Sequence, residues 1–249
     1  MAGHSKWKQI KHKKAVTDNK RGALFTKLIK EITVAARAGG GDPDGNARLR
    51  TAIDAAKAEN MPADNIDRAV KKGTGQLEGI TYEELIYEGY GPGGAAILIQ
   101  ATTDNPTRTV ADIRHIFSKY GGNLGSTGSV AWMFERKGQL SLDGTKIDED
   151  AVMEAALEAG ADDMVRDGDQ FIITTTPNNL HVVQDGLKQR GFKTGSAEFT
   201  MIPKSTVKVE GKDAERLLTV MEMLEENEDV AKVSSNFDID AETLAAVGG

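Results

Sequence analysis

Five lysines and a tryptophan stand within nine residues near the start of the chain: Lys6, Trp7, Lys8, Lys11, Lys13 and Lys14, with His12 among them. Lys20 and Arg21 follow, and Asp18 is the single acid before Glu31. Like charges at that density repel one another unless an anion neutralises them. The phosphates of a nucleic acid would do so. Were all five lysines to pair with phosphates, counterion release would give a log-log salt slope of roughly −4 on duplex DNA and about −3.5 on a single strand. Trp7 adds a second chemistry, because an indole in a polar arm has no evident core to enter, and stacking on a base is worth about 1–3 kcal/mol. The bland alternative is a disordered solubilising tail with Trp7 folded against the first helix.

This cationic opening belongs to an acidic protein of 249 residues with a formal net charge of −7. Residues 1–78 hold sixteen Lys and Arg against nine Asp and Glu, a net of +7, and residues 79–249 carry a net of −14. A basic front attracts polyanions while the acidic body repels them, which points to a nucleic acid held at one end. The chain is 39% hydrophobic and long enough for two or three cores. Its densest apolar run, Ala95 to Ile99, has a strand's length rather than a membrane span's. With no cysteine there is no disulfide framework, thiolate nucleophile or Cys-ligated zinc, and a cytoplasmic home is the expectation.

Other candidates are weaker. His4, His12, His115 and His181 are scattered and lack metal-ligand spacing, so no metal and no cofactor is expected. The loop GGNLGSTGS at 121–129 offers many backbone N–H groups and could cradle an anion, though as a lone glycine loop it reads as a helix stop and turn. Asp148 to Asp150 suit a helix N-terminus. Glu225, Glu226, Glu228 and Asp229 oppose a helix dipole at its C-terminus; no local reason accounts for them, and a basic partner would.

The elements that must position the basic front are helical. Leu24, Phe25, Leu28, Ile29, Ile32, Ala35 and Ala36 repeat at helical spacing up to Gly39-Gly40-Gly41. On that helix Lys27, Lys30 and Arg37 project opposite Leu24, Leu28, Ile32 and Ala35, continuing the basic surface. A second helix is expected over about 46–59 and a third from Pro62 to Gly73, with Asn65, Arg68 and Lys72 as an outward stripe. Helices two and three could form a helix-turn-helix, since Asn and Arg read adenine and guanine edges.

From residue 79 a hairpin is expected over 82–102, then a helix over 110–120 and a strand over 130–134. Residues 135–203 follow in the order β-α-β-β-α-β, a ferredoxin-like set. A strand at 206–209, a helix at 212–226 and a strand at 230–237 would complete the earlier unit. The expected fold is therefore α+β: a basic arm and three-helix domain over 1–78, then two ferredoxin-like domains. One is discontinuous over 79–134 and 204–249, with the other inserted at 135–203.

The stretches MAGHSKWKQIKHKKAVTDNKRGALFTKLIKEITVAAR, GGGDPDGNARLR, NMPADNIDRAVKKGTG, YEGYGPGG and GGNLGSTGSVAWMF closely resemble the YebC family. These are bacterial proteins with a mitochondrial relative that activates translation of cytochrome oxidase subunit one. The likeness covers essentially the whole chain. It implies a three-domain architecture and a cytoplasmic, non-enzymatic role as a DNA-binding transcriptional regulator or a ribosome-associated translation factor. Ala47 stands where the family pattern has proline, and Pro106 in a loop usually without it.

The leading expectation is a nucleic-acid-binding regulator whose arm captures DNA or ribosomal RNA. Its acidic domains would meet protein partners, the ribosome or transcription machinery, or a second copy of the chain; no membrane is involved. A pure protein-interaction module is the competing class. An enzyme would require convergent carboxylates or a histidine beside a hydroxyl in a pocket.

Overall fold

The first helix, α1 (Asp18–Gly39), buries its apolar stripe because two further helices, α2 (Ala47–Ala58) and α3 (Ala63–Gly73), close over it. The computed structural model describes residues 18–240 and 243–244, with side chains from Arg21 onward. Ile32, Ala35 and Ala36 pack against Leu49, Ala52, Ala56, Ile66 and Ala69. Asn46 stitches the first turn together. Its side chain caps α2 by accepting from the Leu49 N–H at 3.1 Å and donates to the carbonyls of Ala35 and Gly40 at the end of α1. Helices α1 and α3 approach so closely that a Cβ on Gly73 would lie 2.4 Å from the Thr33 carbonyl oxygen and 2.7 Å from the Ala36 Cβ.

The hairpin forms as strands β1 (Glu83–Tyr90) and β2 (Ala96–Thr103), joined by a 3-10 turn at Pro92–Gly94. Helix α4 (Pro106–Tyr120) follows, capped by Asn105. The short strand β3 (Asn123–Leu124) pairs with β1. The expected strand over 130–134 is absent; these residues form a 3-10 turn, Ala131–Met133, that runs into β4 (Phe134–Asp143). The cause is the buried carboxylate of Glu88, which accepts from the N–H groups of Val130 and Ala131 and draws the backbone around itself.

Strand β4 opens the second sheet, continued by α5 (Glu149–Glu158), β5 (Asp163–Asp167), β6 (Gln170–Thr175), α6 (Leu180–Gln189) and β7 (Thr194–Pro203). The order β5-β6-β4-β7, antiparallel throughout, is that of a split βαβ unit. Its core joins Leu140, Leu142, Phe171 and Ile173 to Val152, Val183 and Leu187 of the two helices.

The chain then returns to the first sheet. After β8 (Val207–Lys208), helix α7 (Gly211–Glu226) packs beside α4, and β9 (Val230–Ser235) pairs antiparallel with β2, giving the order β3-β1-β2-β9. Strand β8 does not enter this sheet; it pairs in parallel with β10 (Phe237–Asp238). Strand β2 is buried on both faces, with Ile97 and Ile99 against Phe117, Leu217 and Met221, and Ala96 and Leu98 against Val130 and Phe134. That double burial explains why its sequence is a continuous apolar run rather than an alternating one.

Replacing Gly73 with alanine overpacks the α1–α3 contact at a cost of about 1–3 kcal/mol. The thermal midpoint should fall by several degrees; an unchanged midpoint would show that the helices separate freely there.

Candidate nucleic-acid interface

Of the cations expected to bind, Lys6, Trp7's neighbour Lys8, Lys11, Lys13 and Lys14 lie outside the described residues, as do Trp7 and His12. Lys20 falls within α1, its side chain outside the described set. Arg21 is exposed, its guanidinium 5.6 Å over the Phe25 ring. The next two cations turn inward. Lys27 donates to the carbonyl of Glu225, and Lys30, only 8% exposed, donates to the Glu228 carbonyl at 3.0 Å and the Asp229 carboxylate at 2.8 Å. The continuous outward basic face expected on α1 is therefore broken at Lys27 and Lys30, because a second surface, the α7–β9 corner, packs on the side away from the helical core.

Asp229 is the hub of that contact. One carboxylate oxygen takes Lys30, while the other accepts from Thr109 at 2.8 Å and from Arg108 Nη2 at 2.8 Å. Its main-chain carbonyl accepts from the Thr102 N–H in β2. Burial alone would raise the carboxyl pKa, but the hydrogen bonds from Lys30, Arg108 and Thr109 outweigh it and hold the group at about 2. Of the acidic cluster at 225–229, Asp229 thus pairs its carboxylate with a cation of α1, while Glu225 and Glu228 offer that helix their main-chain carbonyls.

Helix α3 carries the remaining candidates. Arg68 is exposed, whereas Asn65 and Lys72 are half-buried. The same surface also presents Asp64 and Asp67, the latter paired with Lys71 at 2.7 Å. Arg37 points toward the carbonyls of Ile80 and Tyr82 at 3.5 and 3.4 Å.

The glycine-rich loop does cradle an anion, and the anion is the protein's own. Glu88, 3% exposed, accepts from the N–H groups of Gly128, Val130 and Ala131 at 2.6–2.7 Å. Burial pushes its pKa up, and these three donors pull it below the ordinary carboxylate value. On the same turn Trp132 is 65% exposed. Sequence reasoning passed over it, since an aromatic in a strand-like VAWMF run reads as half-buried; its exposure follows from the turn that Glu88 imposes.

A cleft of about 690 Å³ separates α1 and α2, the outer face of the first sheet and β7. Two arrangements there test the enzymatic alternative. Glu31 and Glu84 converge, but on Arg48, which donates to both. The bond that Arg48 donates to Glu31, opposed by burial and reinforced by Glu84, raises the Arg48 pKa further. His181 Nε2 lies 3.0 Å from the Thr51 hydroxyl and 3.1 Å from the Ala47 carbonyl. The Thr51 hydroxyl donates to the Ala47 carbonyl, so its hydrogen is directed at the main chain and not at the imidazole. Both sets join elements together. Among the described residues no three His, Asp or Glu gather to hold a metal ion, and no helix is long and apolar enough to cross a membrane.

Comparison with known proteins accords with this architecture. A family model described as the TACO1/YebC N-terminal domain matches residues 5–76, and one described as the TACO1/YebC second and third domain matches residues 82–237. A "probable transcriptional regulatory protein" of Gemmatimonas aurantiaca is 62% identical over 245 residues, covering 98% of this chain and 99% of that one. One from Geobacter sp. strain M21 is 57% identical over 244 residues, 98% of each chain. The crystal structure of a conserved hypothetical protein from Aquifex aeolicus superposes with a TM-score of 0.83 at 46% identity, covering 90% of this chain and 92% of that one.

Replacing Asp229 with asparagine leaves Lys30 buried without its counter-charge, at a cost of about 3–5 kcal/mol near neutral pH. Because folding lowers the carboxyl pKa from 3.8 to about 2, its contribution is present above pH 4 and disappears as pH falls toward 2. The gap between the urea midpoints of the two proteins should narrow over that window; a constant gap down to pH 2 would contradict the assignment.

Proposed function

Because the chain belongs to the TACO1/YebC family, we propose that it is a non-enzymatic, DNA-binding regulator of transcription that grips nucleic acid through its basic N-terminal end. The observation that carries this reading is the segregation of charge. The body beyond residue 78 bears a net of −14 and as a whole disfavours a polyanion, whereas the first 78 residues, at +7, attract one. Lys27 and Lys30 are consumed in holding the body, so capture falls to Lys6, Lys8, Lys11, Lys13 and Lys14, with Trp7, His12, Lys20 and Arg21 extending the contact. The names of the curated relatives support the transcriptional side. The protein would act in the cytoplasm, its acidic portion turned to protein partners.

A second reading is a ribosome-associated translation factor that binds ribosomal RNA. One observation favours it: α3 presents Asp64 and Asp67 beside Arg68 and Lys71, a mixed surface poorly matched to two rows of phosphates flanking a major groove. Lysine neutralises phosphate without reporting which polymer carries it, so the arm serves either reading.

Changing the five arm lysines to glutamine should flatten the salt dependence of binding, removing a log-log slope of roughly 4 on duplex DNA; an unchanged slope would end the proposal. Arg68→Ala separates the readings. Groove entry predicts a changed preference at one base position, by about 1–3 kcal/mol in a binding-site selection, whereas the ribosomal reading predicts co-sedimentation with ribosomes that survives moderate salt and is lost on deleting residues 1–14.

A further inference from the structure

Trp132 is held on the surface by a set of internal bonds. The turn that carries it is fixed from below by the three N–H groups donated to Glu88. From the side, Tyr90 donates its hydroxyl to the Ser129 carbonyl at 3.0 Å. Its neighbours in sequence are anchors, with Val130 and Phe134 fully or nearly fully buried. The indole N–H is itself turned back, donating to the Ser129 carbonyl at 3.2 Å. What remains outward is the ring, on which no aromatic or cationic group is stacked among the described residues. Beside it Lys204, exposed, donates to the Trp132 carbonyl at 2.9 Å and meets no carboxylate among the described residues.

A rigid ring whose hydrogen-bonding group is already satisfied can recognise only a partner that offers a flat, apolar or π-bearing face. The adjacent uncompensated ammonium selects, among such partners, one that carries negative charge. An unpaired nucleotide meets both requirements, with a base for the ring and a phosphate for the lysine. We infer that Trp132 and Lys204 form a stacking platform for an unpaired base of a single-stranded nucleic acid. Because the ring is held in place before binding, little ordering cost falls on the protein when the base arrives. This rests on the nucleic-acid reading above and adds to it a second contact, on the acidic body rather than the basic end. A base inside a duplex cannot reach the ring, so the platform serves single-stranded segments of DNA or RNA, and single-stranded partners distinguish the two.

The chain holds two tryptophans, Trp7 and Trp132, so the full-length Trp7→Phe variant reports on Trp132 alone. Its emission should be quenched on adding oligo(dT) or oligo(U), with the tighter of the two naming the polymer, and should stay unchanged with inorganic polyphosphate or a blunt duplex of equal length. In the natural background Trp132→Ala should weaken oligonucleotide binding by roughly 5- to 150-fold, with Trp132→Phe recovering most of the loss. Fluorescence anisotropy of the labelled oligonucleotide gives an independent measure of complex formation. A complex seen by anisotropy with no change in Trp132 emission would overturn the platform while leaving capture by the arm intact. Equal quenching by polyphosphate would overturn it too, as would oligonucleotide affinity unaffected by Trp132→Ala, which would turn attention to a protein ligand for the ring. Absence of any complex, with the arm lysines present, would overturn both readings together.

Discussion

The buried carboxylate of Asp229 ties the helical unit to the first sheet, and much of the architecture follows from the need to neutralise it. A charge this enclosed is tolerated only with a cation and further donors around it, and it has Lys30 from α1, Arg108 and Thr109 from α4, and a main-chain link to β2. Those partners come from positions 102–109 and from almost two hundred residues away. Closing the contact fixes the orientation of α1, and α1 is the element from which the basic end of the protein departs. Nearby ties act in the same sense. Arg48 joins Glu31 to Glu84 at the edge of β1, His181 joins α2 to α6, and Lys232 of β9 donates to Glu198 and to the Phe199 carbonyl of β7.

The uneven distribution of charge consequently does two jobs. Part of the positive charge in the first 78 residues is spent inside the molecule, on acids of the body, where it sets geometry. Another part, gathered before and at the start of α1, has no carboxylate of comparable density in its own sequence neighbourhood. An acidic body supplies the inward partners, and its net negative charge leaves the basic end as the side more favourable to a polyanion.

The helices were legible because their information is local. The stripe from Leu24 to Ala36, the Asn46 cap and the proline before α3 each specify structure within a few turns, and the β-α-β-β-α-β run is read from alternating periods. The two places where the family pattern is broken are equally local: Ala47 and Pro106 are each the first residue of a helix, after the caps Asn46 and Asn105, where either residue type fits. What could not be read depended on partners distant in sequence. Lys30 sits on the side of α1 away from its own core, and nothing near it in sequence reveals that the end of α7 covers that side. Val130 to Phe134 has the composition of a strand, but a glutamate some forty residues earlier takes the N–H groups that a neighbouring strand would have needed.

Glu88 and Asp229 solve the same problem in opposite ways. Asp229 is neutralised by cations and therefore binds two parts of the chain together. Glu88 is satisfied by main-chain N–H groups alone, the chemistry by which glycine-rich loops hold phosphates, and so it fills a nest that would otherwise be open to an external anion. The loop is thereby closed as a phosphate site, yet stiffened as a support, and the one large side chain it leaves in solvent is Trp132. A nest occupied from within converts an anion-binding motif into a scaffold, and the chemistry available at that surface shifts from charge recognition by the backbone to contact with an exposed ring.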